Sequence, residues 1–217
     1  MDTPASVTLH ETGWTRLAPF AGIVFAILLV AGFVSAGESP DYTDAKGWEA
    51  YFSDSGNRTQ RILASYLLVI AGFAFLWFVT GLVNRLRAVM GDDRGYSTAM
   101  LASGLVSVVF QLAAATTMLS VPASITFGSA PVPTADLAIQ LEQLGIGLLL
   151  VPGLLSAALF VALTLVAALR TGILPNWLAW FGFVVAGLLL LGPLFLPAIF
   201  LPLWALILSI VWLTRAR

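Results

Sequence analysis

The chain contains no cysteine and only one histidine, and these shortages exclude several kinds of chemistry. Without cysteine there are no disulfides, no thiol nucleophile, no thiolate metal site and no palmitoylated cysteine. The single histidine, His10, stands in the polar N-terminal tail, so a histidine-based metal site lacks ligands. No hydrolase, nucleotide-binding or metalloprotease motif stands in a supporting context. We therefore predict no catalytic residues, no metal and no cofactor, and a protein that is not an enzyme.

Charge is the second shortage. Asp, Glu, Lys and Arg make up 10% of the 217 residues, whereas a soluble domain carries about 25%. Hydrophobic residues make up 59%, and the mean hydropathy is +0.97. Such a chain lacks the polar groups to cover a globule, so lipid must be the solvent for most of its surface. We expect the lipid bilayer as partner, with a membrane protein or a second copy as alternatives, and no nucleic acid, since the net charge is −1.

Six apolar runs predict an all-α bundle of six transmembrane helices, since one such helix needs roughly 20 apolar residues. The predicted spans are residues 17–36, 62–83, 97–121, 137–169, 177–191 and 198–213. Residues 17–214 then form a single transmembrane domain between an N-terminal tail (1–16) and a C-terminus (215–217). The segment that joins the last two runs contains prolines and no charged residue. It predicts a hairpin near the membrane surface, and one long kinked span is the alternative.

The basic residues predict a multi-pass protein of the cell membrane with both termini in the cytoplasm. In a six-span topology, seven arginines fall on the side of the termini and three basic residues fall on the other side. The seven are Arg16, Arg85, Arg87, Arg94, Arg170, Arg215 and Arg217, and the three are Lys46, Arg58 and Arg61. With five spans Arg215 and Arg217 would lie on the other side, and the basic residues would be divided five against five. The charge distribution therefore favours six spans.

The polar stretch 43–61 predicts a short outer helix in the first loop, over about residues 44–54. Thr43 or Asp44 would cap this helix. Its apolar face predicts an amphipathic lid that lies on the bundle or on the lipid. Asn57 would then cap the second span.

Four aromatic residues are candidate interface anchors, because amphipathic rings favour the membrane–water boundary. Trp48 and Phe52 lie on the apolar face of the outer helix, and Trp177 and Trp180 lie at the start of the fifth span.

Glu142 is the one carboxylate inside an apolar run. If its helix is continuous, Glu142 lies about 12 Å beyond a span of 20 residues counted back from Arg170. It is then either part of the polar start of an overlong helix or a proton or cation ligand in an outward-facing vestibule. Gln140 and Gln143 lie at the same level.

An ion pair is expected for Glu142. Arg58 and Arg61 flank the start of the second span on the same predicted side. Pairing would lower the cost of placing either charge near lipid, so we expect Glu142 to contact one of these two arginines.

Gln111 lies near the middle of the third span, on a stripe of small residues at spacing four that includes Ser103 and Ser107. The stripe predicts a close helix contact with a hydrogen bond from the buried amide. The alternative is a polar patch that lines a substrate cavity, with Thr116 above it. In the fourth span Pro152 predicts a packing kink or a hinge.

Two segments carry a resemblance: "RTGILPNWLAWFGFVVAG" (170–187), and residues 50–87 with an Asn-Arg pair before a long span and a basic loop. The chain resembles uncharacterised bacterial multi-pass membrane proteins of actinobacterial type with six helices, a family described only as a domain of unknown function with an Arg-Thr-Gly-x-Leu-Pro-x-Trp-Leu motif. The resemblance implies an inner-membrane protein and supplies no substrate or catalytic residue. The first segment also predicts a short hairpin, because Gly172 suits a helix end and Pro175 a helix start.

Two classes of function fit these observations. The first is a non-enzymatic scaffold, accessory subunit or envelope factor, which predicts a dry bundle with an apolar groove or a partner-facing stripe. The alternative is a small transporter or channel for a proton-coupled or lipophilic solute, which predicts a wet cavity near Gln111 or Glu142.

Overall fold

The computed structural model describes residues 13–90, 93–194 and 196–215. Their regular structure is helical: α1 (Gly13–Ser35), α2 (Ala45–Ser53), α3 (Ser55–Met90), α4 (Arg94–Gly128), α5 (Ala135–Leu148), α6 (Leu154–Thr171), α7 (Asn176–Leu189) and α8 (Phe200–Arg215). A π-helical turn, Leu149–Gly153, joins α5 to α6. Short 3-10 turns, Gly192–Leu194 and Leu196–Ile199, lie between α7 and α8. Most of the predicted tail, including His10, and Ala216 and Arg217 lie outside the described residues.

Among the described residues, four helices are long and apolar enough to cross a membrane: Leu17–Ser35, Ser55–Met90, Arg94–Gly128 and Ala135–Thr171. The all-α class and the membrane-embedded character predicted from the sequence are therefore supported. Helices α7 and α8 are apolar but shorter, with 14 and 16 residues, so the count of six crossings remains a prediction.

The long helices extend well beyond their predicted spans. Helix α3 has 36 residues and begins at Ser55 rather than 62, and α4 continues through Pro122 to Gly128 instead of ending at 121. A helix of 36 residues is about 54 Å long, whereas the hydrocarbon core is about 30 Å thick. Hydropathy marks the apolar part of a helix and not its polar turns, so the predicted spans are shorter than the helices that contain them.

Close helix packing forms the main core. Helix α3 lies between α1 and α4, α8 packs on α1, and α7 packs on α6. A Cβ atom on Gly81 would lie 2.1 Å from the Cβ of Ala18, so this glycine lets α1 and α3 approach closely. Fully buried aromatic rings, among them Phe75, Phe160 and Trp204, fill the centre, with the rings of Phe75 and Phe160 edge to face at 6.1 Å.

A second, smaller core holds α2 against the bundle. We call it the α2 cluster: Trp48, Tyr51 and Phe52 of α2 with Val121 of α4 and Ala135 and Ala138 of α5. Trp48 and Phe52 are buried there. Of the two predicted positions, bundle or lipid, the structure therefore has α2 on the bundle.

Two aspartates cap the helices of this region. The side chain of Asp44 accepts a hydrogen bond from the Gly47 amide at 2.9 Å, as one of the two predicted caps. Asp54 accepts one from the Asn57 amide at 2.8 Å, so α3 begins after Asp54. The predicted cap at Asn57 was wrong because Asp54 supplies the oxygen acceptor one turn earlier.

The bundle has two distinct ends. At one, which we call the basic end, Arg85 lies over the Trp212 ring at 4.6 Å and Arg170 over the Tyr96 ring at 5.4 Å. Arg215 donates there to the carbonyl of Ile173 at 3.3 Å. The start of α7 and the end of α8 therefore lie side by side at the basic end. The opposite end carries α2 and is called the α2 end.

The turn between α7 and α8 packs on the π-helical turn. A Cβ atom on Gly192 would lie 2.2 Å from the carbonyl oxygen of Leu150. Leu150 is about 30 Å along the helix from Thr171 at the basic end, which equals the thickness of a hydrocarbon core. Helices α7 and α8 therefore form a hairpin that reaches this level, while α3, α4 and α5 continue further.

Candidate functional site

The α2 end contains a buried ion pair. Helix α3 carries Arg61 and helix α5 carries Glu142, and the Nη2 of Arg61 donates a hydrogen bond to the Oε1 of Glu142. The two side chains are only 7% and 5% exposed. Arg61 Nη2 also donates to the hydroxyl of Ser39 at 3.3 Å. The expected ion pair is therefore present and is made by Arg61.

Arg58 has a different role. Its Nη1 donates to the carbonyls of Phe52 and Ser53, both at 2.7 Å. These carbonyls belong to the last turn of α2, where backbone oxygens lack helical partners and a positive charge is favourable. Arg58 therefore caps the C-terminus of α2, and Arg61 is the arginine that pairs with Glu142.

A cavity of about 310 Å³ lies beside the ion pair. Its polar wall is formed by Arg61, Glu142, Ser39 and Ser65, and its other walls are mainly apolar. The volume is at the lower limit of ligand pockets, roughly 300–1,000 Å³. Ser39 is exposed, so the cavity reaches the surface near the loop after α1. We call this cavity the polar pocket.

Gln111 is buried and joins two helices. Its Nε2 donates to the Leu68 carbonyl of α3 at 3.2 Å. One turn earlier, the Ser107 hydroxyl donates to the Gly153 carbonyl at 3.0 Å. The predicted helix contact with an amide hydrogen bond is present. Both residues also border a small cavity of about 20 Å³, which is large enough for one water molecule.

Ser107 contacts the last residue of the π-helical turn that joins α5 to α6. Pro152 has no backbone N–H, so the helix cannot keep its regular hydrogen bonds here. Ser107 supplies one donor to the altered backbone at Gly153. Single π-helical turns inside α-helices are frequent at functional sites, and this one lies between the bundle core and the polar pocket.

The remaining predicted site residues lie elsewhere. Gln140, Gln143 and Thr116 are exposed, and the Thr116 hydroxyl donates to the Leu112 carbonyl of its own helix at 2.8 Å. The structure therefore brings Arg61 and Glu142 together, and it does not bring these three to the pocket.

The aromatic anchors fall into two groups. Trp177 and Trp180 are 57% and 67% exposed on α7, as expected for rings that meet lipid or the interface. Trp48 is buried, and its Nε1 donates to the Asp41 carbonyl at 3.0 Å. Trp48 and Phe52 therefore attach α2 to the protein.

Tyr42 and Tyr51 lie near enough to the ion pair for its charges to affect their pKa values. Burial raises the pKa of Tyr51, the Arg61 guanidinium acts against this, and Glu142 adds to it. Burial also raises the pKa of Tyr42, whose ring stacks on Trp48 at 6.0 Å. Both phenols are therefore uncharged at neutral pH.

Sequence reasoning missed several residues of the site, among them Ser39, Ser65, Phe33 and Ile146. Ser65 lines the polar pocket one helical turn after Arg61, and this spacing of four could have identified it. Phe33 of α1 lines the pocket from the opposite side, and nothing in its local sequence distinguishes it from the other apolar residues of its run.

Comparison of the chain with protein-family models, with curated proteins and with solved structures finds no match. The resemblance to the bacterial family therefore stays a prediction. Among the residues that the structure describes, no three His, Asp or Glu side chains come together as a metal site.

Proposed function

We propose that this chain is a non-enzymatic, six-span protein of the cell membrane that binds a small ligand in the polar pocket. The observation that carries the proposal is the cavity of about 310 Å³ with the Arg61–Glu142 pair in its wall. Two charged side chains that are only 7% and 5% exposed and that line a cavity mark a candidate ligand site. A wet cavity beside Glu142 is the feature that distinguishes a solute-binding protein from a dry scaffold.

The proposal of six spans is supported by the hairpin of α7 and α8, which begins and ends at the basic end. The concentration of arginines at that end supports its placement in the cytoplasm. The polar pocket and α2 then face outward, and the pocket lies near the outer boundary of the hydrocarbon core.

Transport through a permanently open channel is not supported. Below the polar pocket, fully buried rings such as Phe75, Phe78 and Phe160 fill the bundle. A channel needs a continuous polar path. The pocket is therefore a binding site that opens to one side, and the π-helical turn below it is the element on which a transport motion would depend.

The topology is tested with single cysteines, for which the cysteine-free chain is a ready background. Ser55→Cys is exposed at the α2 end and Thr214→Cys is exposed at the basic end. A membrane-impermeant thiol reagent added to intact cells should label Ser55→Cys. Thr214→Cys should react only after permeabilisation. The opposite pattern, or equal labelling, would contradict the proposed orientation.

The wet pocket is tested in the same way. Ile146 of α5 is half-buried and lines the pocket one turn below Glu142, while Leu155 of α6 is exposed and lies outside the pocket. A charged methanethiosulfonate should label Ile146→Cys in nanodiscs and should not label Leu155→Cys, because a thiol in lipid neither ionises nor meets the reagent. An unreactive Ile146→Cys beside a reactive Ser55→Cys would refute the ligand-binding proposal.

A scaffold remains the second candidate because of one observation. An apolar groove runs along α1 and α8 and has no polar atom in its widest part. Native mass spectrometry of the protein in mild detergent would distinguish the two functions. A co-purifying protein or a stable oligomer would favour a scaffold, whereas a monomer with a bound small molecule would favour the polar pocket.

A further inference from the structure

Phe33 separates three cavities. Its side chain borders the polar pocket, the small cavity next to Gln111 and the apolar groove between α1 and α8. Phe33 lies about 24 Å along α1 from Leu17, so it is in the half of the bundle nearest the α2 end. The polar pocket and the apolar groove are thus neighbours across one aromatic ring.

The groove itself is suited to a hydrocarbon chain. It has two adjoining parts of about 230 and 530 Å³, which share Val30, Val34, Ile199 and Pro202 as walls. In the proposed topology this surface faces the outer leaflet. Its walls supply no hydrogen-bonding side chain, so only apolar groups bind there without loss of hydration.

The polar pocket selects the chemistry at the other end of such a molecule. Arg61 and Glu142 neutralise each other, so a ligand with a net charge would enter a buried site without a counter-charge. A hydroxyl or carbonyl oxygen has no such cost. It accepts from a guanidinium, and a hydroxyl also donates to a carboxylate. Arg61 Nε is buried and has no hydrogen-bond partner among the described residues, so the guanidinium has donor capacity to spare.

We propose that the polar pocket and the apolar groove form one binding site for an uncharged single-chain amphiphile. Its hydroxyl or carbonyl head lies at Arg61 and Glu142, and its hydrocarbon chain passes Phe33 and lies in the groove along α1 and α8. This inference rests on the proposed function, because it names the class of ligand for the same pocket. In the bilayer the hydrocarbon chain exchanges one apolar environment for another, so the head group at the ion pair supplies the selectivity.

The test measures how fast a charged thiol reagent labels Ile146→Cys in nanodiscs that contain an added probe. The probes are monoolein, with an uncharged glycerol head, oleate and oleylamine, with charged heads on a similar chain, and glycerol alone. We expect monoolein to slow labelling at least about fivefold, as for occupancy of about four-fifths of the sites. Glycerol should have no effect, and the two charged probes should have a smaller effect than monoolein.

A matched pair of variants tests the groove. Val30 is 40% exposed in the groove, and Val184 is 61% exposed on α7 outside it. Val30→Trp fills the groove without altering the buried core, and it should abolish the protection by monoolein. Val184→Trp adds the same ring to another lipid-facing surface and should leave the protection unchanged.

The other outcomes separate this inference from the proposed function. If Ile146→Cys is labelled and no probe slows the labelling, the pocket is wet but does not bind an amphiphile. The proposed function then stands and this inference is overturned. Equal protection by glycerol alone would assign the pocket to a small solute, and equal protection by oleate would overturn the selection of an uncharged head. A dimer in native mass spectra that Val30→Trp abolishes would assign the groove to a second copy and overturn the proposal.

Discussion

Arg61 and Glu142 are 81 residues apart in the sequence, and their side chains form a buried ion pair between α3 and α5. Such a pair adds little net stability, because the cost of removing two charges from water offsets most of their attraction. The loss of one partner is different, since it leaves the other charge buried without compensation. The pair therefore fixes how α3 and α5 face each other and makes the α2 end sensitive to single substitutions.

The first prediction compares the loss of one partner of the ion pair with the loss of both. Glu142→Leu should destabilise the folded protein by about 3–5 kcal/mol, because Arg61 stays buried and uncompensated. The double variant Arg61→Met, Glu142→Leu should recover most of that loss. SDS-induced unfolding in mixed micelles measures both. Equal destabilisation of the single and double variants would show that the two side chains act independently.

Glycine at the contact of α1 and α3 provides a second prediction. Gly81→Ala would place its Cβ 2.1 Å from that of Ala18, so the helices must separate and stability should fall by about 1–3 kcal/mol. Gly187→Ala on α7 is the matched control, because its Cβ would meet nothing within 4 Å. The control should be neutral or more stable by up to about 1 kcal/mol. Thermal unfolding in detergent compares them, and a similar loss in both would rule out the packing explanation.

Trp48 should hold α2 in place. Trp48→Ala removes the central ring of the α2 cluster and the hydrogen bond to Asp41, which should cost about 3–5 kcal/mol locally. Because the main core does not contain Trp48, the helices within the membrane should stay folded. Limited proteolysis of nanodiscs should then cut the segment between α1 and α3. Trp180→Ala, at an exposed ring, should leave the proteolysis pattern as it is in the parent protein.

Gln111 should act as a link between helices. Gln111→Leu removes the hydrogen bond to the Leu68 carbonyl and should cost about 0.6 kcal/mol, and at most about 1.7. Labelling of Ile146→Cys should not change, because Gln111 does not line the polar pocket. A large change in labelling with unchanged stability would instead assign Gln111 to the ligand site. Gln143→Leu, at an exposed position, is the control for the loss of an amide.

The fold class followed from the sequence because apolar runs are a direct measure of lipid exposure. The ends of the long helices did not follow. Residues 55–61 are polar, yet they are helical because Asp54 caps them and Arg58 ties them to α2. Hydropathy does not include these contacts.

The sequence predicted that Glu142 forms an ion pair, but it did not determine which of two arginines is the partner. Arg58 and Arg61 are three residues apart on one helix, so they lie on nearly the same face. Which of them meets Glu142 depends on the position of α2, whose last carbonyls take Arg58. The π-helical turn was predicted only as a kink or a hinge at Pro152, and the residue that packs closely on it, Gly192, comes from a distant turn.

The separation of 81 residues between the two partners has a consequence for biogenesis. At about 5–20 residues per second, Glu142 is synthesised roughly 4–16 s after Arg61. During that interval the guanidinium has no carboxylate to meet, and the rings of α2 have no α5 to pack on. Because Arg61 lies near the start of α3, its guanidinium can reach interfacial water until α5 arrives.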